Sequence, residues 1–226
     1  MPSLQCSLSC CIRLKHYKVD QSKSDDSVYY VSNENNSFVN EYNIDNSKLI
    51  IQFAGNVGQV FGADEFCNLV NSLKDNVNIQ FHVIGSGIKL DYVKEKTADC
   101  SNILYFPWQP QSRMNEIYSY CDIEIVPLHK GVIGNDVPSK IALAMACGKP
   151  ILNIVEKSHY FDMFYDNKLG FCFEHNQIDE IAKLLEKLSN NKNQLKCYEN
   201  TTKDFSYSYF SEENNTNKVL NCIEKL

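Results

Sequence analysis

The sequence LIIQFAGNVG, residues 49–58, joins a mainly apolar run to two closely spaced glycines, and an amphipathic stretch follows at residues 62–73. Continuous runs rich in Ile, Leu and Val are typical of strands that are buried on both faces of a parallel sheet. Similar runs recur at residues 79–84, 103–105, 123–126, 150–155 and 170–173. Because amphipathic stretches separate these runs, the pattern predicts βαβ units and an α/β fold with a doubly wound, mainly parallel, Rossmann-like sheet.

Helices are predicted between and after these strands. Their predicted positions are residues 62–73, 88–98, 111–120, 139–146, 178–188, 190–198 and 211–226. Asn176 is the predicted N-cap of the helix at 178–188, because its side chain can accept a hydrogen bond from a free amide of the first turn. Upstream of the first strand, residues 21–47 are rich in Ser, Asn and Asp. Their one apolar run, residues 28–31, predicts a single strand within a linker-like segment.

Composition and charge narrow the class of protein. The chain has 226 residues, 43% of them hydrophobic, and a formal net charge of −6, so no overall positive field favours nucleic acid. Neither a run of eighteen apolar residues nor a signal-peptide pattern occurs, so we expect a cytoplasmic protein, either free or held at the membrane by a partner. The ten cysteines include no CxxC pair and no zinc-ligand spacing, which favours reduced thiols. Without a carboxylate cluster, we expect no metal ion.

Three loops follow strands at the edge where open parallel sheets bind ligands. The loop at residues 55–62, GNVGQVFG, brings glycines close together, which lets backbone amides approach a phosphate. The second loop, GSG at residues 85–87, has the same property, and in both loops a tight strand-to-helix turn explains the glycines equally well. The third loop, VPSK at residues 137–140, opens a helix and combines free amides, the Ser139 hydroxyl and the Lys140 cation in one turn, which suits an anionic group. Its alternative interpretation is a helix start with an exposed lysine.

These motifs occur in a particular order: GNVG at residues 55–58, IGSG at 84–87, CDIEIVP at 121–127 and PSKIALAMACGKP at 138–150. The set resembles the C-terminal, donor-binding half of GT-B glycosyltransferases, specifically glycosyltransferase family 4. It is most similar to the bacterial branch that builds surface polysaccharides, whose members include fucosaminyltransferases. The PSK helix followed by Gly-Lys-Pro is the more specific part of this resemblance, since the glycine loops are generic.

The same resemblance predicts the domain organisation. Members of this family have two Rossmann-like domains with a cleft between them. Residues 28–226 are then the nucleotide-sugar-binding domain, and residues 1–27 are a remnant of the last helix and linker of the acceptor domain. We expect the acceptor domain itself to be missing, either because a separate chain supplies it or because the gene is truncated.

The resemblance also implies a set of donor-binding residues. They are Gly55, Asn56, Gly58, Gly85, Ser86, Gly87, Trp108, Asp136, Pro138, Ser139 and Lys140. The pyrophosphate is expected near the first loop and the Ser139–Lys140 helix start, and the base near the second loop and Trp108. Trp108 either borders the base or belongs to the core. Lys140 is the expected catalytic residue, since its charge would stabilise the departing diphosphate.

At the diphosphate position the sequence departs from the family. Asn56 and Phe61 stand where many members have an arginine and a lysine. Lys140, together with Arg113, is therefore expected to supply the positive charge.

A second departure concerns the Glu-x7-Glu pair of the family, which falls at Asn135 and Leu143. Asp136 lies near enough in sequence to replace the first glutamate. The second glutamate normally receives the ribose hydroxyls, and a leucine cannot accept those hydrogen bonds. Because this contact with the ribose would be absent, the departure affects the ability of the chain to catalyse sugar transfer.

The implied reaction is transfer of a sugar from a nucleotide diphosphate sugar to a hydroxyl of a saccharide or lipid-linked acceptor, with retention at the anomeric carbon and no cofactor. Two alternatives stay open. The chain is either a non-catalytic nucleotide-binding fragment or partner subunit, or it resembles the GT-B-shaped epimerases of sugar nucleotides, although the PSK helix favours a transferase.

Four ionisable residues near the strands carry weaker signals. His82 lies within a strand and is expected in the core. His129 follows a strand at the ligand edge and is expected to be a solvated loop residue. Asp122 is expected to be a turn or cap residue, and Glu124 has no predicted role.

Overall fold

The computed structural model describes residues 28–132 and 140–210. These residues form a six-stranded sheet in which every pair of neighbouring strands is parallel. The strands are β1 (Leu49–Asn56), β2 (Ile79–Ser86), β3 (Ile103–Phe106), β4 (Ile123–Pro127), β5 (Ile151–Ile154) and β6 (Gly170–Phe173). Their order across the sheet, β3-β2-β1-β4-β5-β6, is that of a doubly wound Rossmann-like fold. The predicted fold class is therefore confirmed.

Helices connect the strands and flank the sheet. In the described residues they are α1 (Ser37–Tyr42), α2 (Ala63–Ser72), α3 (Leu90–Lys96), α4 (Met114–Tyr120), α5 (Lys140–Ala146), α6 (His159–Asp166), α7 (Ile178–Asn190) and α8 (Lys196–Phe210). Side-chain caps fix two of their starts, because Asn36 Oδ1 accepts the Val39 amide at 3.1 Å and Ser158 Oγ accepts the Phe161 amide at 3.3 Å. Such caps satisfy amides that have no partner within the helix.

Each face of the sheet is covered by its own apolar layer. The layer under α1, α4, α5 and α6 includes the fully buried side chains Phe38, Ile117, Ile141, Met145 and Phe164. The layer under α2, α3 and α7 includes Phe66, Leu69, Val70, Val93, Ile181 and Leu185. Strands covered on both faces have no polar side to present to water, which is why their sequences are mainly apolar.

The chain reverses its direction across the sheet at β1. From β1 it proceeds outward to β2 and β3, and it then returns to β4 on the other side of β1. The carboxyl ends of β1 and β4 therefore border the crevice at which open α/β sheets bind ligands.

The strand predicted at residues 28–31 does not form. The Val31 amide instead donates to Ser119 Oγ at 2.8 Å, and the Tyr29 amide donates to Asn115 Oδ1 at 3.3 Å. Side chains of α4 thus supply the hydrogen-bond partners that a neighbouring strand would have supplied. This segment runs along α4 and adds no strand to the sheet.

Two predictions near the C-terminal helices are also wrong. Asn176 is not a cap, because α7 begins at Ile178 after Gln177, whose side-chain oxygen accepts the Glu174 amide at 2.8 Å. The helix predicted at residues 190–198 is instead a 3-10 turn, Lys192–Leu195, followed by the longer helix α8. Lys192, in this turn, donates to the carbonyl oxygens of Asn46 at 3.0 Å and Lys48 at 2.7 Å, just before β1.

Two predicted segments, residues 1–27 and the helix at 211–226, lie outside the described residues. Within residues 28–132 and 140–210, none of the helices combines the length and the apolar character needed to cross a bilayer.

Candidate functional site

A cavity of about 740 Å³ opens at the carboxyl ends of β1 and β4. It is lined by Phe53, Ala54, Gly55, Asn56, Val60, Phe61, Trp108, Gln109, Gln111, Met114, Tyr118, Pro127, Leu128, Val132, Lys140 and Leu143. The end of β1 forms its floor, and the loop after β3, helix α4, the end of β4 and helix α5 form its walls. Four of the predicted site residues, Gly55, Asn56, Trp108 and Lys140, therefore meet around one cavity of a size suited to a small molecule.

The second glycine loop packs behind the first and does not line the cavity. A Cβ atom on Gly85 would lie 2.1 Å from the Gly55 carbonyl oxygen, and one on Gly87 would lie 2.4 Å from the Val57 carbonyl oxygen. Both glycines also have φ values that other residues rarely adopt, 139° and 153°. Gly85, Ser86 and Gly87 thus support the first loop, as the tight-turn interpretation of these glycines predicts.

The side chain of Asn56 lies between two glycines. A Cβ atom on Gly58 would lie 2.9 Å from Asn56 Nδ2, and a Cβ atom on Gly87 would lie 2.6 Å from Asn56 Oδ1. Gly58 does not line the cavity. Its lack of a side chain instead leaves room for the Asn56 amide.

Lys89 is a structural residue of the site that sequence reasoning missed. Its ammonium donates to the carbonyl oxygens of Gln59 at 3.1 Å and Phe61 at 2.8 Å. The first glycine loop is thereby fastened to the start of α3. The sequence carries no signal for this contact, since a lysine after a glycine loop is ordinarily a solvated residue.

Lys140, the first residue of α5, is half-buried and reaches over the end of β1. Its Nζ lies 3.4 Å from the centroid of the Phe53 ring, and its Cδ lies near Gly55, at 3.9 Å from where a Cβ would be. Burial lowers the pKa of the Lys140 ammonium to about 8, although the charge of Glu124 acts in the opposite direction. Lys140 is therefore mostly protonated at pH 7 and places a cation on the wall of the cavity.

Glu124 is a fully buried carboxyl group in β4 whose role the sequence left unassigned. Its Oε2 accepts from Gln52 Nε2 and its Oε1 from the Ala54 amide, both at 3.1 Å. Burial raises its pKa to about 7, while Lys140 and the two hydrogen bonds lower it. Its neighbours in the strand, Ile123 and Ile125, are apolar, so the sequence pattern does not distinguish this segment from an ordinary buried strand.

Trp108 is 67% exposed and lines the cavity, so the alternative that it belongs to the core is wrong. Gln109 and Gln111, which follow it, line the same wall. An exposed indole beside two amide side chains can contact a planar ring and donate or accept hydrogen bonds.

Arg113 is not part of this wall. Its guanidinium pairs with Glu41 at 2.8 Å and Glu116 at 3.4 Å, and it donates to Ser37 Oγ at 3.3 Å. It therefore links α1 to α4. The expectation that Arg113 supplies charge to the cavity is corrected accordingly.

Four predicted positions, Asn135, Asp136, Pro138 and Ser139, lie outside the described residues. Leu143 is described and lines the cavity, as the position of the second family glutamate implies. In residues 28–132 and 140–210, no group of three or more His, Cys, Asp or Glu side chains is arranged to hold a metal ion. The six cysteines of these ranges are free thiols.

His82 and Asp122 are structural residues. The His82 ring lies 2.9 Å from both Tyr120 Oη and Gln80 Oε1, and burial lowers its pKa to about 3, so the ring is neutral. Asp122 accepts the Ile50 amide at 2.8 Å and pairs with Lys192 at 2.7 Å, at the opposite end of the strands from the cavity. The predicted core position of His82 is confirmed, whereas Asp122 lies in a bend before β4 and its side chain binds the start of β1 and does not cap a helix.

His129 is exposed at the ligand edge, as predicted, and its Nδ1 lies 2.8 Å from the Lys130 carbonyl oxygen. It does not line the cavity.

The chain is similar to known glycosyltransferases in sequence. The profile of the family described as Glycosyl transferases group 1 matches residues 34–204. The probable glycosyltransferase WbjE of Pseudomonas aeruginosa is 31% identical over 166 residues, which are 71% of this chain and 40% of WbjE. The chain thus spans less than half the length of this relative.

Two solved structures share the fold. The C-terminal domain of the glycosyl transferase group 1 family protein LpcC from Francisella tularensis has a TM-score of 0.66 at 17% identity, covering 84% of this chain and 100% of that domain. Anabaena Alr3699/HepE, solved in complex with UDP and glucose, has a TM-score of 0.70 at 12% identity, covering 88% of this chain and 54% of HepE. The chain therefore belongs to the Glycosyl transferases group 1 family, and its described residues have the fold of the C-terminal half of a GT-B enzyme.

Proposed function

We propose that the cavity at the ends of β1 and β4 binds a nucleotide diphosphate sugar, and that this domain is the donor half of a retaining glycosyltransferase of polysaccharide biosynthesis. The observation that carries the proposal is the juxtaposition of Lys140 with Gly55 and Asn56 around one cavity. A cation beside a glycine-containing strand end suits a diphosphate, because the charge attracts the phosphates while the backbone permits their approach.

The remaining wall suits the rest of the donor. Trp108 offers an exposed aromatic face for a base, and Gln109 and Gln111 offer amide groups for polar atoms of the base or ribose. HepE, whose fold is similar, was solved with UDP and glucose, so UDP is the appropriate first probe for this chain.

In the proposed reaction, this chain contributes charge stabilisation and positioning. The acceptor hydroxyl oxygen forms a bond to the anomeric carbon as the bond from that carbon to the diphosphate oxygen breaks. Negative charge accumulates on the departing diphosphate, which takes up the hydroxyl proton. The Lys140 ammonium would stabilise that charge more strongly in the transition state than in the bound donor. The acceptor hydroxyl would be held by a second domain, either in a longer polypeptide or in a partner chain. The reaction would take place in the cytoplasm, where cysteines persist as free thiols.

The proposal is tested by calorimetric titration of the chain with UDP and with uridine. A hydrogen bond to a charged group contributes about 1.5–3 kcal/mol, so Lys140→Ala should weaken UDP binding about tenfold to a hundredfold. Uridine lacks the phosphates, and its affinity should hardly change. Lys130→Ala is the matched control, since Lys130 is an exposed lysine at the same edge that does not line the cavity. Equal UDP affinities of the wild type and Lys140→Ala would place the diphosphate elsewhere.

A second candidate function is nucleotide binding without turnover. The observation that favours it is Leu143, an apolar residue lining the cavity at the position where the family has a glutamate. Release of UDP from UDP-glucose or UDP-N-acetylglucosamine, followed with and without saccharide acceptors, separates the two functions. Tight UDP binding with no release under any of these conditions would favour the binding module.

A further inference from the structure

Glu124 is held in a single orientation beneath the end of β1. It is fully buried, and both of its carboxylate oxygens accept hydrogen bonds from β1, one from the Gln52 side chain and one from the Ala54 amide. Gln52 and Glu124 are also paired in the register of the two strands. The position of the carboxyl group is therefore set by the sheet itself.

Lys140 approaches the same end of β1 from α5. Its Nζ lies over the ring of Phe53, the residue before Ala54, and its Cδ passes near Gly55, the residue after Ala54. The lysine thus crosses the strand at the residue whose amide binds Glu124. Because Glu124 is fully buried and Lys140 is half-buried, water screens their charges less than it does at the surface.

We propose that Glu124 is a positioning residue which keeps the Lys140 ammonium charged at the cavity wall, ready for the diphosphate of the donor. This inference rests on the function proposed above. Glu124 does not line the cavity, so it would act through Lys140 and not by contact with the donor.

The physical reason is that burial alone disfavours a charged lysine. The carboxylate opposes this effect by raising the pKa of Lys140, and Lys140 lowers the pKa of Glu124 in return. The Tyr120 hydroxyl and the Cys121 thiol, at the end of α4, also interact electrostatically with Glu124. Burial raises both of their pKa values well above the usual range, so they stay neutral and do not replace the carboxylate.

Glu124→Gln separates this role from a purely structural one. The substitution keeps the size of the side chain and an oxygen that can accept the Ala54 amide, but it removes the charge. Asp122→Asn is the matched control. Asp122 is also an acidic residue next to β4, but it pairs with Lys192 at the end of the strands that lies away from the cavity. Both variants are first compared with the wild type by thermal unfolding.

The primary measurement is the titration of Lys140 itself, without any ligand. Brief acetylation at a series of pH values, followed by peptide mass spectrometry with Lys130 as internal reference, gives the pKa of Lys140. We expect a value near 8 in the wild type and in Asp122→Asn, and a value at least about one unit lower in Glu124→Gln, since an uncompensated buried ammonium loses its proton more readily. An unchanged pKa in a folded Glu124→Gln chain would overturn the inference and leave the proposed function intact.

The second measurement is the affinity for UDP as a function of pH. At pH 8, where the wild-type ammonium is about half charged, Glu124→Gln should bind UDP about fivefold more weakly than the wild type, the difference should shrink at pH 6, and uridine should bind both chains equally. Glu124→Asp, which keeps the charge, should recover part of the loss. Loss of affinity that is the same at both pH values would indicate a structural role and overturn the inference.

Two outcomes concern the wild type alone. If Glu124→Gln does not fold, the acetylation profile of the wild type still decides, because a Lys140 that titrates at the ordinary value of 10.5 would contradict a buried, coupled pair. A wild-type chain that binds no UDP would overturn the proposed function, and with it the role assigned to Glu124.

Discussion

Gly85→Ala should destabilise the domain more than any ordinary surface substitution. The new Cβ would lie 2.1 Å from the Gly55 carbonyl oxygen, whereas carbon and oxygen atoms in contact are ordinarily about 3.3 Å apart, so β1 and β2 must separate by roughly 1 Å at this pair. The backbone at Gly85 also has φ 139°, which costs other residues about 1–3 kcal/mol. With about 1 kcal/mol for each weakened hydrogen bond, the loss should be about 3–5 kcal/mol.

Urea unfolding followed by circular dichroism measures this loss. Gly131→Ala is the matched control: Gly131 also has a positive φ, 83°, but no heavy atom of the described residues lies within 4 Å of its added Cβ. Its cost should be only about 1–2 kcal/mol, from the left-handed backbone alone. Gly85→Ala should also weaken UDP binding, because Gly55 and Asn56 move with the strand end. If Gly85→Ala lost no more stability than Gly131→Ala, the close approach of the two strands would be refuted.

Two further predictions concern a buried imidazole and an exposed indole. His82 is neutral in the folded chain and charged in the unfolded chain below its ordinary pKa of 6.5, so its contribution to stability is lost as the pH falls from 6.5 towards 3. The stability of the wild type relative to His82→Gln should therefore fall by about 2 kcal/mol between pH 7 and pH 5, and parallel curves in urea unfolding would contradict this. Trp108→Ala should weaken uridine and UDP binding alike, about tenfold, while Trp108→Phe keeps most of the affinity. Since Trp108 is the one tryptophan of the sequence, its fluorescence should change on titration with either ligand, and an unchanged signal at saturation would exclude the predicted contact.

The sheet could be read from the sequence because its strands are continuous apolar runs bounded by glycines and polar residues. The six predicted strands agree with β1 to β6, and their ends differ by no more than two residues. The two-residue differences occur at the carboxyl ends of β1 and β2, where Gly55, Asn56, Gly85 and Ser86 continue the ladder. Glycine is usually a sign that a strand has ended, but here it is the residue that allows the two strands to stay in contact.

The polar contacts of the site could not be predicted in the same way. Lys89 and Glu124 act through carbonyl oxygens and amides that are distant in sequence or lie on another strand, and a linear pattern does not reveal such pairs. For Arg113, the sequence predicted a contribution of charge to the cavity. The structure instead pairs its guanidinium with Glu41 and Glu116. The segment at residues 28–31 fails as a strand for a related reason, since its amides find side chains of α4 as partners.

The most direct test of the central claim is a crystal structure of the chain grown with UDP. The account predicts UDP in the cavity at the ends of β1 and β4, with the diphosphate within hydrogen-bond distance of Lys140 Nζ and close to Gly55 and Asn56, and with the base beside Trp108. UDP bound at another surface, or bound in the cavity with its diphosphate away from Lys140, would contradict it.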